Sequence, residues 1–248
     1  MWEGLQTSNL KLQTLNFFYC PDIDEQQASF TLDEAESKHI SRVLRLAIGN
    51  KIMLLNGKGI VFQCEITSVG KQCTVNIINF TKVEEEQPLI HIAIAPTKNN
   101  DRLEWFIEKT TEIGINEITP IICSNSERKV VKKERLLKTA IAAMKQSGRA
   151  FLPQINEAVK LKDFLNQCNA EQKLIAHCYE ENQQHLKELY TLGKDVILLI
   201  GPEGDFSLEE VEIAIKKHNF IPISLGKNRL RTETAGVYAC AALKIINE

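Results

Sequence analysis

Apolar positions change their period partway along the chain. Between residues 15 and 80 they come in short alternating or continuous runs, Phe17-Tyr19, Ile52-Leu55, Ile60-Ile66 and Cys73-Ile78, which predict strands. Turn signals at Asn56-Gly57 and Val69-Gly70-Lys71 separate them. One helix is expected to interrupt, Asp33 to Leu46, with Ile40, Val43, Leu44 and Ile48 at helical spacing. A small barrel or closed sheet is the economical way to bury such strands. Segment 81–88 is polar, carries three consecutive glutamates and ends in proline, a linker composition that marks a domain boundary. Residues 1–14 are polar and unpatterned and read either as a disordered extension or as a start site placed too far upstream.

Beyond residue 88, strands alternate with helices. Leu89-Ala95, Glu117-Cys123, Gln172-Tyr179, Val196-Ile200 and Phe220-Leu225 are apolar strands. Asp101-Ile113 is a helix with Leu103, Phe106, Ile107, Thr110 and Ile113 on one face, and Gly114 is placed to end it. Lys132-Ser147, stopping at Gly148, Ser207-His218 and Thr232-Ile246 are further helices. Asp101 with Glu104 and Ser207 with Glu210 fit the capping-box spacing. Uniformly apolar strands alternating with helices predict a mostly parallel sheet covered on both faces, hence an α/β fold over 89–248.

Charge refines this outline. The 248 residues sum to a net charge of −2, which excludes a uniformly basic nucleic-acid coat but not a local patch. Residues 98–149 hold eleven Lys/Arg against seven Asp/Glu, an excess of +4, and six of the cations lie between Arg128 and Lys138. That stretch reads either as a solvated helix face or as a phosphate-binding surface. Lys38, Arg42 and Arg45 suggest a second, smaller basic stripe at spacings of four and three. Aromatic residues are 6%, too few for an extended base-stacking platform.

The seven cysteines are odd in number and none forms a CxxC pair. They are expected to be reduced thiols of a cytoplasmic protein, with no metal bound. The chain shows neither a signal-peptide pattern nor an apolar run of the ~20 residues that would span a bilayer, so no membrane association is expected.

The stretch that carries chemistry is the strand 196–200 followed by Gly201-Pro202-Glu203-Gly204. A second strand runs into Leu225-Gly226-Lys227-Asn228-Arg229-Leu230-Arg231-Thr232-Glu233-Thr234-Ala235. Ligands of parallel sheets bind at such strand-end loops, where glycines let the backbone approach closely. Neither a GxGxxG fingerprint nor a P-loop is present. Arg231 with Glu233 also fits a surface ion pair.

Together these segments resemble the RsmE family of SPOUT-class RNA methyltransferases, and the resemblance runs from about residue 16 to 248. It includes His39 to Arg45 with Gly49 and the Asn56-Gly57-Lys58-Gly59 turn, then Lys98, Glu104, Lys109, Thr111, Glu112 and Gly114. It continues through Gln146, Ser147, Arg149 and Pro153. Three positions depart from the family pattern: Asn16 and Lys145, and Asp205 where a further glycine is common.

The resemblance implies a PUA-like β-barrel RNA-binding domain over 15–80 and a SPOUT methyltransferase domain with a C-terminal trefoil knot over 89–248. It implies a homodimer and S-adenosylmethionine as cofactor. The implied reaction is methylation of uracil N3 in 16S ribosomal RNA, free or in the small ribosomal subunit. Leu199, Gly201, Gly204, Leu225, Gly226, Leu230 and Thr234 are the candidate cofactor contacts, and His177 reads either as a pocket residue or as a satisfied strand-end histidine. Arg231 is a candidate for stabilising negative charge on the base, and Glu203 or Glu233 for taking the proton. Arg42, Arg45, Arg128, Lys132, Lys133 and Arg149 are the candidate RNA contacts. Two alternatives remain: a SPOUT enzyme acting on ribose 2′-OH or tRNA, and a non-catalytic RNA-binding assembly factor.

Overall fold

The structure, a computed structural model, describes residues 16–179 and 184–248. The N-terminal extension expected over 1–14 lies outside the described residues. The chain divides between Val83 and Glu84 into two compact units.

The first unit holds β1 (Phe17–Tyr19), β2 (Ser29–Thr31), α1 (Glu34–Lys38), β3 (Lys51–Leu55), β4 (Ile60–Ser68) and β5 (Thr74–Lys82). They form one sheet in the order β1-β3-β4-β5-β2, antiparallel except for the β1–β3 pair. Register shifts at Gln63/Cys64 and Ile66/Ser68 interrupt the β4–β5 ladder, and such bulges bend a sheet over its core. That core contains Phe18, Leu32, Ile40, Ile52, Leu54, Phe62, Ile66 and Val75.

The helix expected from Asp33 to Leu46 is shorter and mixed. Asp33 caps it by accepting from the Glu36 N–H at 2.7 Å, and after Lys38 the turns widen into a π-helix over His39–Val43. The wider turn breaks the 3.6-residue spacing. Ile40 is fully buried, but Val43 and Ile48 are 66% and 67% exposed, so the apolar face read from the sequence is not one face. Arg45, at φ 53, lies past the helix end.

The second unit contains β6 (Ile90–Ile94), α2 (Asn100–Ile113), β7 (Glu117–Ile122), α3 (Lys133–Ser147), β8 (Gln154–Ile155), β9 (Val159–Lys160) and α4 (Leu161–Gln167). It continues with β10 (Gln172–Ala176), α5 (Leu186–Leu189), β11 (Val196–Ile200), α6 (Leu208–His218), β12 (Ile221–Ile223) and α7 (Thr232–Asn247). The strands run β12-β10-β11-β6-β7-β8, with β9 also on β7, and every pairing is parallel.

The apolar strands feed two cores because successive side chains point to opposite faces. Ile90, Ile92 and Ile94 of β6 join Val196, Leu198 and Ile200 of β11 in a core with Phe106 of α2, Leu136 of α3 and Ala239 of α7. Ala93 and Ala95 join Ile197 and Leu199 in the opposite core, with Phe164 of α4 and Val211 and Ala214 of α6.

Gly114 and Gly148 end α2 and α3 in the left-handed conformation. Ser207 and Glu210 form a reciprocal capping box on α6. The capping box read at Asp101 and Glu104 is not formed. Asn99 is the N-cap of α2, accepting from the Asp101 N–H at 3.0 Å. The strand expected to reach Tyr179 stops at Ala176, and the one expected over Phe220–Leu225 covers Ile221–Ile223.

The acidic segment read as a linker is anchored. Glu86 accepts from Arg149 Nη2 at 2.9 Å and Lys244 Nζ at 3.0 Å, and Glu85 from Asn116 Nδ2 at 3.3 Å. Burial alone would raise the Glu86 pKa, but the Lys244 and Arg149 contacts hold it below the ordinary carboxylate range.

All seven cysteines are free thiols, and burial pushes those of Cys64 and Cys240 up to about 12. No helix among the described residues is long and apolar enough to cross a membrane.

Candidate active site

Parallel strands bring four loops to one edge of the sheet, at the strands' C-terminal ends. These are loops 95–99 after β6, 123–132 after β7, 201–207 after β11 and 224–231 after β12. Ligands of open parallel sheets bind there.

Side chains cross-tie these loops. Glu203 Oε1 accepts from the Lys98 N–H at 3.0 Å, and the Glu203 carbonyl accepts from Arg229 Nη2 at 3.1 Å. Thr232 Oγ1, in the first turn of α7, donates to the Gly201 carbonyl at 2.9 Å. Asn125 Nδ2 donates to the Gly204 and Asp205 carbonyls at 3.3 and 3.1 Å. Glu210 holds the loop after β7 by accepting from the Ser124 N–H at 2.7 Å.

Asp205, which departs from the family pattern, has φ 62, a left-handed conformation that Asp tolerates better than most residues. Its carboxylate accepts from the Phe206 N–H at 2.8 Å and the Cys178 N–H at 2.9 Å. A residue with a side chain thus occupies a glycine-type conformation and ties the loop to the chain leaving β10.

The candidate cofactor residues fall into two groups. Gly201, Gly204, Leu225, Gly226, Leu230 and Thr234 lie on the loops or at the head of α7, all exposed or half-buried. Gly226, at φ +126, has nothing within 4 Å of where a Cβ would stand. Leu199 is inside the sheet, fully buried in the α4–α6 core and in register with Ile175 and Ala93 on either side. It supports the loop from beneath and does not line it. His177, just past β10, is 7% exposed and accepts at Nδ1 from the Tyr179 N–H at 3.3 Å.

The candidate catalytic residues differ in environment. Arg231 is the exposed N-cap of α7, and its guanidinium has no partner among the described residues. Glu203 is half-buried and has one carboxylate oxygen engaged by Lys98. The Glu233 side chain is only 8% exposed, 3.7 Å from Arg102 Nε of α2, and its Oε2 lacks a hydrogen-bond partner. Arg102 drew no notice in the sequence, where it is one cation in the first turn of an amphipathic helix. Its partner lies 131 positions away, and only the packing of α2 on α7 joins them.

The candidate RNA contacts are not equivalent. Arg149 reaches over Gly114 to the Glu112 and Ile113 carbonyls at 3.5 and 3.4 Å and to Glu86. Arg128 donates to the Thr97 and Lys98 carbonyls at 3.2 and 2.7 Å. Both brace the fold. Lys133 lies 3.9 Å from Glu157, whereas Lys132 is exposed with no ion partner among the described residues. In the first unit, Arg42 and Arg45 are exposed.

A concavity of about 1070 Å³ lies between α2 and α3 beside Trp105, Lys109, Arg135 and Gln146. The described residues contain no cluster of three or more metal-ligating side chains.

A covered parallel sheet with cross-tied strand-end loops, an exposed arginine and a buried carboxylate at the head of its last helix defines an α/β protein of the open parallel-sheet class. The chain belongs to the RNA methyltransferase family: its RNA methyltransferase domain matches residues 84–244, and the RNA methyltransferase PUA domain matches residues 32–78. Ribosomal RNA small subunit methyltransferase E of Rickettsia conorii is 31% identical over 211 residues, covering 84% of this chain and 86% of that protein. A probable rRNA-methyltransferase from Porphyromonas gingivalis superposes with a TM-score of 0.87 at 40% identity, over 94% of this chain and 98% of that one. A Legionella pneumophila methyltransferase solved with its cofactor SAM bound superposes at 0.86 with 32% identity, over the same shares.

Proposed function

We propose that this chain transfers a methyl group from S-adenosylmethionine to N3 of a uridine in 16S ribosomal RNA. The observation that carries the reading is the loop edge, where Gly201, Glu203 and Thr232 join two strand-end loops beneath the exposed Arg231. The relatives' names supply the substrate class, and the Legionella structure supplies the cofactor.

The residues present suit such a cofactor. Half-buried Leu225 and Leu230 offer apolar surface, and the open backbone at Gly226 admits close approach. When bound, S-adenosylmethionine supplies an electrophilic methyl carbon on a sulfonium. Gly201, Gly204, Leu225, Gly226, Leu230 and Thr234 hold it, with Leu199 beneath. Uracil N3 lies on the pairing edge, so the target base enters unpaired or extruded. Arg231 stabilises the negative charge that develops as N3 loses its proton. Glu203 takes that proton at Oε2, while its Oε1 keeps the Lys98 N–H.

The first unit, with Arg42 and Arg45, and the exposed Lys132 with Lys133 contact RNA phosphates. In this reading the chain closes a trefoil knot at 201–231, pairs as a homodimer through α7 and works in the cytoplasm. Part of α7's small-residue face is occupied within the unit, since Gly236 packs on Phe106. The test is transfer of labelled methyl to 16S RNA or to small subunits, followed by mass mapping of the product nucleoside. N3-methyluridine supports the reading, and a 2′-O-methyl nucleoside or no product overturns it.

A further inference from the structure

We propose that Arg102, in the first turn of α2, is a further RNA-contacting residue of this site, and that the buried Glu233 is the positioning residue that aims it. The inference rests on the methyltransferase reading for its substrate, an RNA phosphodiester beside the target nucleotide.

The pair is asymmetric. The Glu233 side chain is 8% exposed and that of Arg102 is 40% exposed. A buried carboxylate without a cation is strongly disfavoured, and Arg102 is the one ion partner of Glu233 among the described residues, at 3.7 Å through Nε. Glu233 follows the exposed Arg231 by two positions, so the pair lies at the head of α7, beside the loops.

A guanidinium has five donors in a rigid fork. Arg149 and Arg128 commit theirs to protein acceptors, two helix-end carbonyls and Glu86 in one case and two loop carbonyls in the other. Those are braces. The terminal amino groups of Arg102 have no hydrogen-bond partner among the described residues. The carboxylate faces the Nε side of the cation as an ion pair at 3.7 Å, and the Arg102 side chain stays half-exposed. Two parallel N–H donors match the paired oxygens of a phosphate. Glu233 Oε2 is buried and has no hydrogen-bond partner among the described residues, and Oε1 faces Arg102. Glu233 acts through Arg102.

The test compares Arg102→Gln and Arg102→Lys with wild type in RNA binding across a salt series, in steady-state methyl transfer and in calorimetric titration with S-adenosylmethionine. Arg102→Gln should weaken kcat/KM about ten- to a hundredfold, the range spanned by losing a charge-assisted hydrogen bond. The loss should fall on KM for RNA, and the salt slope should drop by about one. Cofactor affinity should stay near wild type, while the melting temperature falls because the buried Glu233 loses its cation. Arg102→Lys should restore the salt slope but only part of KM, because a point charge replaces a fork. An unchanged KM and salt slope would overturn the proposal, as would parallel losses of cofactor affinity and melting temperature, which mark a brace. Wild-type protein that binds RNA through Arg102 but transfers no methyl group would instead overturn the methyltransferase reading and leave the contact standing.

Discussion

Replacing Gly236 with alanine tests how α7, which carries Arg231, Glu233 and Thr234, is seated. A Cβ at Gly236 would stand 2.5 Å from Phe106 Cε2, 2.7 Å from Phe106 Cδ2 and 3.1 Å from Ile94 Cδ1. Phe106 and Ile94 are fully buried, so neither can swing into solvent, and α2 or α7 has to move. Overpacking of a dense core costs about 1–3 kcal/mol. Alanine's higher helix propensity returns about 1 kcal/mol. The net expectation is a destabilisation of about 1 kcal/mol and at most about 2. That lowers the melting temperature by roughly 2–4 °C per kcal/mol in a unit of this size. Urea unfolding followed by the fluorescence of Trp105, next to Phe106, should show a lower midpoint at unchanged slope. S-adenosylmethionine should also bind more weakly, because a displaced α7 carries the head of the site with it. A variant at least as stable as wild type would refute the reasoning, since Phe106 would then have room for the methyl group.

Four further outcomes follow from the same geometry. Arg231→Ala should abolish methyl transfer while calorimetric affinity for S-adenosylmethionine stays near wild type; near-normal turnover would remove Arg231 from the mechanism. Glu203→Gln keeps an acceptor for the Lys98 N–H but cannot take a proton, so kcat should fall by about 10²-fold or more at unchanged cofactor affinity. A near-wild-type kcat would leave Glu203 as a strut alone. The Glu86 carboxyl is depressed in the fold, so its contribution to stability is present above the ordinary glutamate pKa and is lost as pH falls through the lower folded value. Glu86→Gln should remove that increment, giving a flatter acid limb in melting temperature against pH. Charge reversal at Lys132 and Lys133 should weaken RNA binding and reduce its salt slope, and an identical slope would make that stretch a solvated face.

Long elements were legible where a single signal dominated. The β6 and β11 runs declared a doubly covered sheet, Gly114 and Gly148 marked helix ends, and Ser207 with Glu210 announced a capping box. Signals failed where two residues competed or an element was too short to have a period. Asn99 outcompeted Asp101 for the cap. The two-residue strands β8 and β9 show no alternation, and α4 and α5 span only 7 and 4 residues. The π-helix at His39–Val43 moved Val43 off the apolar face. At the candidate site, the glycine-rich loops stood out in the sequence because their turn signal is local. The roles of Arg128, Arg149 and Arg102 could not, since each depends on acceptors brought in from distant segments. A basic run in sequence therefore separates in space into braces, ion pairs and free cations.

Methylation of uracil N3 in small-subunit ribosomal RNA is tested most directly by a nucleoside analysis of that RNA from cells with and without this gene. N3-methyluridine should disappear when the gene is lost and return with the wild-type gene but not with Arg231→Ala. N3-methyluridine that persists at its normal level in cells lacking the gene would contradict the proposed reaction.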